Sequence, residues 1–244
     1  AWLSPFSFSV DRFDIKLKDA IGQIGRQNVL NFCYDLQGSA RDAYCAQVVR
    51  GANPFAPGAT WVVNSVSDQS LNVGRYRIKG LDIAAGYRID FGDLSWPRGV
   101  LTLATNWVIY DRARLTTPVM DLNLLGYAGG SLSEQGWIKR SGRVDVGYAY
   151  GRFSADWAAR HVGKAKQATF QPAATPDIPS RWAHDARIAF TMTEKVELYG
   201  GVNNVFDKQP PFLATGTSGA NGLDTIPGYY DVFGRQGYVG LKLR

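Results

Sequence analysis

The chain has 244 residues, 45% of them hydrophobic and 13% aromatic, with 27 glycines and a formal net charge of +6. No apolar run of about 18 residues occurs, which excludes a membrane-spanning helix but not strands, since these cross a bilayer in about 9–11 residues of alternating polarity. The positive charge is scattered, with no basic run and no zinc, helix-turn-helix or ribonucleoprotein pattern, so a nucleic-acid partner is not expected. The opening "AWLSPFSFSVDRFDIK" lacks a basic n-region followed by an apolar h-region. The expectation is that a signal has been removed or that the chain is the later part of a longer one.

From its start the chain repeats with period two rather than 3.6. Residues 6–20 read as the first strand, with Phe6, Phe8 and Val10 in one parity and Phe13, Ile15 and Leu17 in the other. A bulge near Asp11 and Arg12 is expected to reconcile the two halves. A long polar stretch follows, in which "QNVLNFCYD" reads as a short helix. "GATWVVNSVSDQS", at about 58–70, reads as a short hairpin or an extension of the next strand. Cys33 and Cys45 are the only cysteines. A metal site would want closer pairs and further ligands, and the two histidines lie far off at 161 and 184. A disulfide in an oxidising compartment is therefore expected.

The second strand, 72–91, opposes Leu81, Ile83, Ala85, Tyr87 and Ile89 to Asp82, Gly86, Arg88 and Asp90. The third, 99–113, keeps Leu101, Leu103, Trp107 and Ile109 together. In 138–150, Val144, Val146, Tyr148 and Tyr150 oppose Arg143, Asp145, Gly147 and Ala149. In 153–165, Phe153, Ala155, Trp157 and Ala159 oppose Ser154, Asp156, Ala158 and Arg160. Residues 182–193 set Ala186, Ile188, Phe190 and Met192 against Arg187, Ala189, Thr191 and Thr193. Residues 196–207 set Val196, Leu198 and Val202 against Glu197, Tyr199 and Asn203. The eighth strand, 233–243, carries Val239, Leu241 and Leu243 on its apolar face.

The connections alternate in length. Those after residues 91, 150 and 193 are short, and those after 20, 113, 165 and 207 are long and rich in glycine, proline and serine. Tight turns at one end and long loops at the other are the layout of an outer-membrane barrel. Tyr150 with Phe153, and Phe91 with Trp96, flank short turns as an interfacial girdle would. A soluble β-sandwich also alternates, but its strands average five or six residues. A lipocalin-like barrel would carry its apolar residues inward, and alternation alone does not separate inward from outward.

The end of the chain supplies a resemblance. "GGVNNVFDKQPP", a long loop and then "YYDVFGRQGYVGLKLR" resemble the C-terminal end of TonB-dependent outer-membrane receptors, at Asn204, Val205, Phe206, Asp207 and Lys208, then Tyr230, Asp231, Gly234 and Arg235. Valine stands at 205 where the family usually has leucine. "NVGRYRIKGLDIAAGY" resembles the family's strand with Lys79 through Asp82, and "FSVDRFDIKLKDAIG" its strand with an aromatic followed by an Ile-x-Ile-like pattern. "CYD…CAQVVR" resembles the cysteine-bridged external loop of some larger members. The family usually ends on an aromatic, which implies one more residue after Arg244.

This resemblance implies an all-β, antiparallel up-and-down transmembrane barrel of about 22 strands around a plug, of which residues 1–244 would be the C-terminal part. It implies energy-coupled uptake of a scarce ligand, a ferric siderophore or an oligosaccharide, in the bacterial outer membrane. The implied partners are the N-terminal plug and barrel part of the same receptor, the TonB complex, and outer-membrane lipid and lipopolysaccharide. The alternative is a self-contained small barrel with a structural or adhesive role.

An outer-membrane hydrolase would need an organised nucleophile and base. His161 and His184 share parity with the apolar set and read as interfacial, so no catalytic, metal or cofactor site is expected. "GYAGGS" and "GTSGANG" lack the following helix and lysine of a phosphate cradle. Tyr34, Tyr44, Trp61, Tyr127, Phe170 and Phe212 fall in the long loops, where each could stack on a ligand or pack loop on loop. Asp82, Arg88, Arg143, Asp145, Asp156, Arg160, Arg187 and Glu197 are expected to line the lumen, paired with one another and with the plug.

Overall fold

The computed structural model describes residues 6–22, 25–52, 61–68, 71–92, 98–117, 121–128, 136–167, 177–212, 225, 226 and 228–243. In chain order the elements are β1 (Phe6–Gly22), α1 (Arg26–Asp35), α2 (Gly38–Cys45), β2 (Val48–Gly51), β3 (Val62–Val66), β4 (Leu71–Asp90), β5 (Val100–Thr116), β6 (Asp121–Asn123), β7 (Tyr127–Ala128), β8 (Arg140–Tyr150), β9 (Phe153–Val162), β10 (Lys166–Gln167), β11 (Arg181–Thr193), β12 (Val196–Asn203) and β13 (Gln236–Leu243). The eight long strands form one antiparallel meander, β1-β4-β5-β8-β9-β11-β12-β13, with β6 paired to β5. The sheet is open: β1 and β13 stand at its two ends.

The period-two segments become these strands because each side chain set has its own medium. On one face, rows of apolar residues run across the sheet, such as Leu103–Val146–Trp157–Ala186–Val202 and Tyr148–Ala155–Ile188–Gly200–Val239. On the other face run Arg88–Thr102–Gly147–Asp156–Arg187–Gly201–Tyr238. The polar rows line open grooves that reach from β4 to β13, which makes the polar face the concave one. Phe8, Ile188, Phe190, Val239 and Leu241 stand exposed on the convex face. So large an apolar surface is incompatible with water and suits hydrocarbon.

The expected bulge near Asp11 and Arg12 is not formed. The register from Phe6↔Tyr87 to Leu17↔Tyr76 is continuous, and β1 is irregular only further on, between Leu17 and Ile21. The change of parity in β1 is instead a true inversion. Phe6, Phe8 and Val10 lie on the convex face, while Phe13, Ile15 and Leu17 lie on the concave face opposite Gly80, Ile78 and Tyr76. A shift in β5, between its pairings with Lys79 and Gly80, falls at the same level. Above it Ala113 and Leu115 turn inward and are buried with Leu124.

Three long connections share one core at that end. Ala128 and Ile138 come from the loop after β5, Ala165 and Ile178 from the loop after β9, and Ile226 and Tyr230 from the loop after β12. Removing one such isoleucine from water is worth about 1.5–3 kcal/mol, enough to tie loops that have little else in common. The first long connection folds separately. The expected short helix is α1 and a second helix α2 follows it, but the 58–70 stretch forms neither a hairpin of its own nor an extension of β4: it supplies one strand, β3, which pairs antiparallel with the earlier β2. Cys33 and Cys45 are joined as a disulfide that links α1 to α2.

Several strand ends differ from the sequence expectation by a few residues, β5 running on to Thr116 and β9 stopping at Val162, and two of the differences have a backbone cause. β12 ends at Asn203 rather than near 207, because Asn204 and Asp207 have φ of 51° and 50°, a left-handed backbone that stops ladder pairing. β13 accordingly starts at Gln236, after Gly234 with φ of 71°.

Candidate functional site

The motif at the end of the chain is a structural clasp. Asn204 is buried, its backbone N–H donates to Asp185 Oδ1 at 2.9 Å, and its side chain exchanges hydrogen bonds with the backbone of Lys208. Asp207 then accepts the backbone N–H of Arg235 at 2.9 Å, and Gly234 leaves room for that carboxylate. Asp231 caps the next turn by accepting the Phe233 N–H at 2.9 Å. Residues 204–208 thus fix where the last strand begins, across a long loop. Tyr230 is buried in the shared loop core, and Phe206 stands on the convex side against Trp157 and His184.

The second family-like motif, Lys79 through Asp82, is explained by Gly80. A Cβ there would meet the Phe13 ring at 2.6 Å and the Ile109 carbonyl oxygen at 2.5 Å. Glycine gives Phe13 a flat seat, from which its ring meets Tyr110 edge-on at 5.9 Å.

The concave face divides at that seat. On the short-turn side it is charged and internally neutralised. Arg187 contacts Asp156 at 3.5 Å and Glu197 at 3.1 Å and lies 5.0 Å over the Tyr199 ring. Arg143 pairs with Asp145 at 2.7 Å and Arg160 with Asp185 at 3.3 Å. Asp82 and Arg88 make no ion pair among the described residues, and Arg88 faces the large groove, of about 730 Å³. A smaller groove past Asp11, Asp82 and Asn106 leads toward the long-loop side.

There the wall becomes aromatic. A groove of about 660 Å³ is lined by Ile15, Tyr76, Ile78, Tyr110, Trp137 and Tyr229. Trp137 meets Tyr110 edge-on at 5.0 Å, and the Tyr229 hydroxyl donates to the Gly136 carbonyl at 2.6 Å. Burial pushes the Tyr229 phenol up, so it remains a neutral donor at ordinary pH. Four large rings around apolar walls, reached along a charged groove, can hold a flat or aromatic small molecule by stacking and apolar contact.

None of these four aromatics was among the loop residues expected to meet ligand. Of those, Tyr44 packs on Phe32 at 5.1 Å in the helical loop core. Tyr34 is exposed and takes a hydrogen bond and a cation–π contact from Arg50. Trp61 and Phe212 are exposed, Tyr127 is half-buried in β7, which pairs with β10, and Phe170 lies outside the described residues, as does Trp96. Ile15, Tyr76, Ile78 and Tyr110 sit in strands, Trp137 shortly before β8 and Tyr229 in the loop before β13, and the clue to the groove was the parity change from Val10 to Phe13.

On the convex face, Trp107, His161, Trp182, His184, Trp157 and Phe206 form a ladder of ring contacts between 4.7 and 6.3 Å. Both histidines are in it, away from the charged groove. Phe6, Phe8 and Tyr87 with Tyr150, Phe153 and Phe190 mark the short-turn side. Two aromatic levels bounding an apolar band are the girdles of a transmembrane barrel. Among the described residues no group of three or more His, Cys, Asp or Glu is placed to hold a metal ion.

The sequence profile described as "TonB dependent receptor-like, beta-barrel" matches residues 2–205. Among curated proteins none matches. Among solved structures the chain is similar to the ferric enterobactin receptor PfeA from Pseudomonas aeruginosa, with TM-score 0.58 and 16% identity over 98% of this chain and 29% of that one. It is likewise similar to the FrpB iron transporter from Neisseria meningitidis, with TM-score 0.55 and 16% identity over 98% of this chain and 28% of that one. The copper transporter OprC gives 0.57 and 15% over 98% and 29%. The chain thus spans 28–29% of the length of these three proteins, and the likeness at such identities is one of fold.

Proposed function

The chain belongs to the TonB-dependent receptor β-barrel family, and from that premise we propose that it is the C-terminal arc of an outer-membrane receptor for energy-coupled uptake of a scarce ligand. The observation that carries this reading is the inversion of polarity within one continuous sheet. Toward the short turns the sheet is apolar outside and charged inside, while toward the long loops it is apolar inside. A band that meets lipid outside and a polar conduit inside, opening into an aromatic vestibule, is what a transporter wall requires.

In this reading a plug and earlier strands outside these 244 residues complete the barrel. The charged concave face meets the plug, and the TonB complex drives passage through that plug. The open sheet supports an arc over a closed small barrel, since its end strands would otherwise leave backbone groups unpaired in hydrocarbon, at several kcal/mol each. The names of the similar structures favour a metal chelate such as a ferric siderophore over an oligosaccharide, and the aromatic groove suits a catecholate-like ring.

The test is uptake of a panel of labelled ferric siderophores, copper chelates and oligosaccharides by cells with and without the gene. Uptake of one class that needs both this gene and TonB is expected. Uptake unaffected by loss of either one refutes the proposal.

A further inference from the structure

Behind the clasp at the end of the chain lies a small cavity of about 40 Å³. Its walls come from separate stretches: Arg160 near the end of β9, Arg181 at the start of β11, Asn204 and Lys208 in the clasp, and Tyr230 and Asp231 in the chain leading to β13. A single water needs about 10–15 Å³, so there is room for a few small species and none for an organic ligand.

Two donors on this wall are out of water and unsatisfied. Tyr230 is 4% exposed, and neither its hydroxyl nor Arg181 Nη2 has a hydrogen-bond partner among the described residues. A buried donor left in that state is costly, more so when it is charged. Burial pushes the Tyr230 phenol up, and the Arg181 charge pulls it only part of the way back. The hydroxyl therefore keeps its proton at ordinary pH and has it to donate.

The charges on the wall do not cancel. Arg160 is neutralised by Asp185, at 3.3 Å. Arg181 and Lys208 then face one carboxylate, Asp231, which already accepts the Phe233 N–H at 2.9 Å. One positive charge is left in excess.

From this we infer that the cavity is a binding site for one monatomic, monovalent anion, a halide such as chloride, held by the Tyr230 hydroxyl and the Arg181 guanidinium. Size, charge and donor set agree on that class. Guanidinium and ammonium groups only donate hydrogen bonds, and an anion only accepts them. Water would satisfy the donors but leave the excess charge in place. A divalent oxyanion is bulkier and carries one charge too many. The anion acts as a bolt, because Arg181 is fixed in β11 and Tyr230 in the shared loop core. It joins the sheet to the segment from which the last strand starts.

The experiment uses the full receptor that contains this chain, in detergent, in sodium chloride or in sodium gluconate at equal ionic strength. Amide exchange is read at Lys208 and Arg235, whose N–H groups are bound within the clasp. Chloride at about ten times its dissociation constant should slow that exchange about tenfold. Crystals grown in bromide should show its anomalous signal in the cavity. Tyr230→Phe keeps the ring in the core and should abolish the difference between the salts, as should Arg181→Gln.

Equal exchange of the parent in the two salts overturns the inference, as does bromide absent from the cavity. So does a Tyr230→Phe variant better protected than the parent in both salts, the behaviour of a hydroxyl that had no partner to lose. The site rests on the fold at the clasp and not on the transport reading, so its failure leaves that reading as it stands.

Discussion

Val146 occupies the middle of the convex band, between Leu103 and Trp157. Along β8 it is four residues from Tyr150, at the short-turn girdle, and four from Gly142, which pairs with Trp107 and His161 at the other. Four residues rise about 13 Å along the strand, or about 10 Å along the bilayer normal at a tilt near 40°. That places Val146 close to the midplane, where an arginine facing lipid costs about 2–4 kcal/mol. Ile188, two pairs from the Phe153–Phe190 level, should cost less.

The control is the adjacent residue. A Cβ at Gly147 would lie 3.1 Å from Asp156 Oδ1 on the concave side, so an arginine there gains a carboxylate neighbour. Gly147→Arg should stay within about 1 kcal/mol of the parent. Equilibrium unfolding of the receptor in lipid vesicles, followed by tryptophan fluorescence, measures both. A cost at Gly147 equal to or above that at Val146 would refute the assignment of the two faces.

Asn204→Ala should destabilise by about 2–4 kcal/mol, from the left-handed backbone and the unpaired polar groups it leaves, and the same unfolding assay should show Asn204→Gly recovering the backbone part. Gly80→Ala forces a Cβ against Phe13 and the Ile109 carbonyl, an overpacking worth about 1–3 kcal/mol; Phe13→Ala in the same chain should relieve part of it in a double-mutant cycle. The Cys33–Cys45 bridge spans a separation of 12 residues, and losing such a loop closure costs about 3 kcal/mol locally. Reduction should therefore expose α1 and α2 to amide exchange while β8 and β9 stay protected, and thiol labelling of the unreduced, denatured chain should find no free thiol.

The strands were legible because their pattern is local: two side chain sets in two media give period two, and the eight segments read from the sequence are the eight strands of the meander. The ends of β12 and β13 were less so, since Asn204 stops the ladder through a backbone conformation rather than an apolar pattern. The parity change in β1 is visible in the sequence, where it suggests a bulge, but the structure makes it an inversion. Deciding between them required the pairing of Ile15 and Leu17 with Ile78 and Tyr76. The aromatic groove was hidden for a related reason. Tyr76, Tyr110, Trp137 and Tyr229 come from four separate stretches and meet only through register and the shared loop core. The histidines, by contrast, were placed by parity alone, and they stand among tryptophans on the convex face.

The central claim is that these strands are an arc of a larger barrel, and the map of strand neighbours tests it most directly. Single cysteines along β1 and β13, in the receptor assembled in its membrane, can be crosslinked oxidatively to cysteines placed on candidate neighbours. The arc predicts that β1 and β13 each crosslink to strands outside these 244 residues and not to one another. A crosslink between β1 and β13 at hydrogen-bonded register would show a closed eight-stranded barrel and contradict the claim.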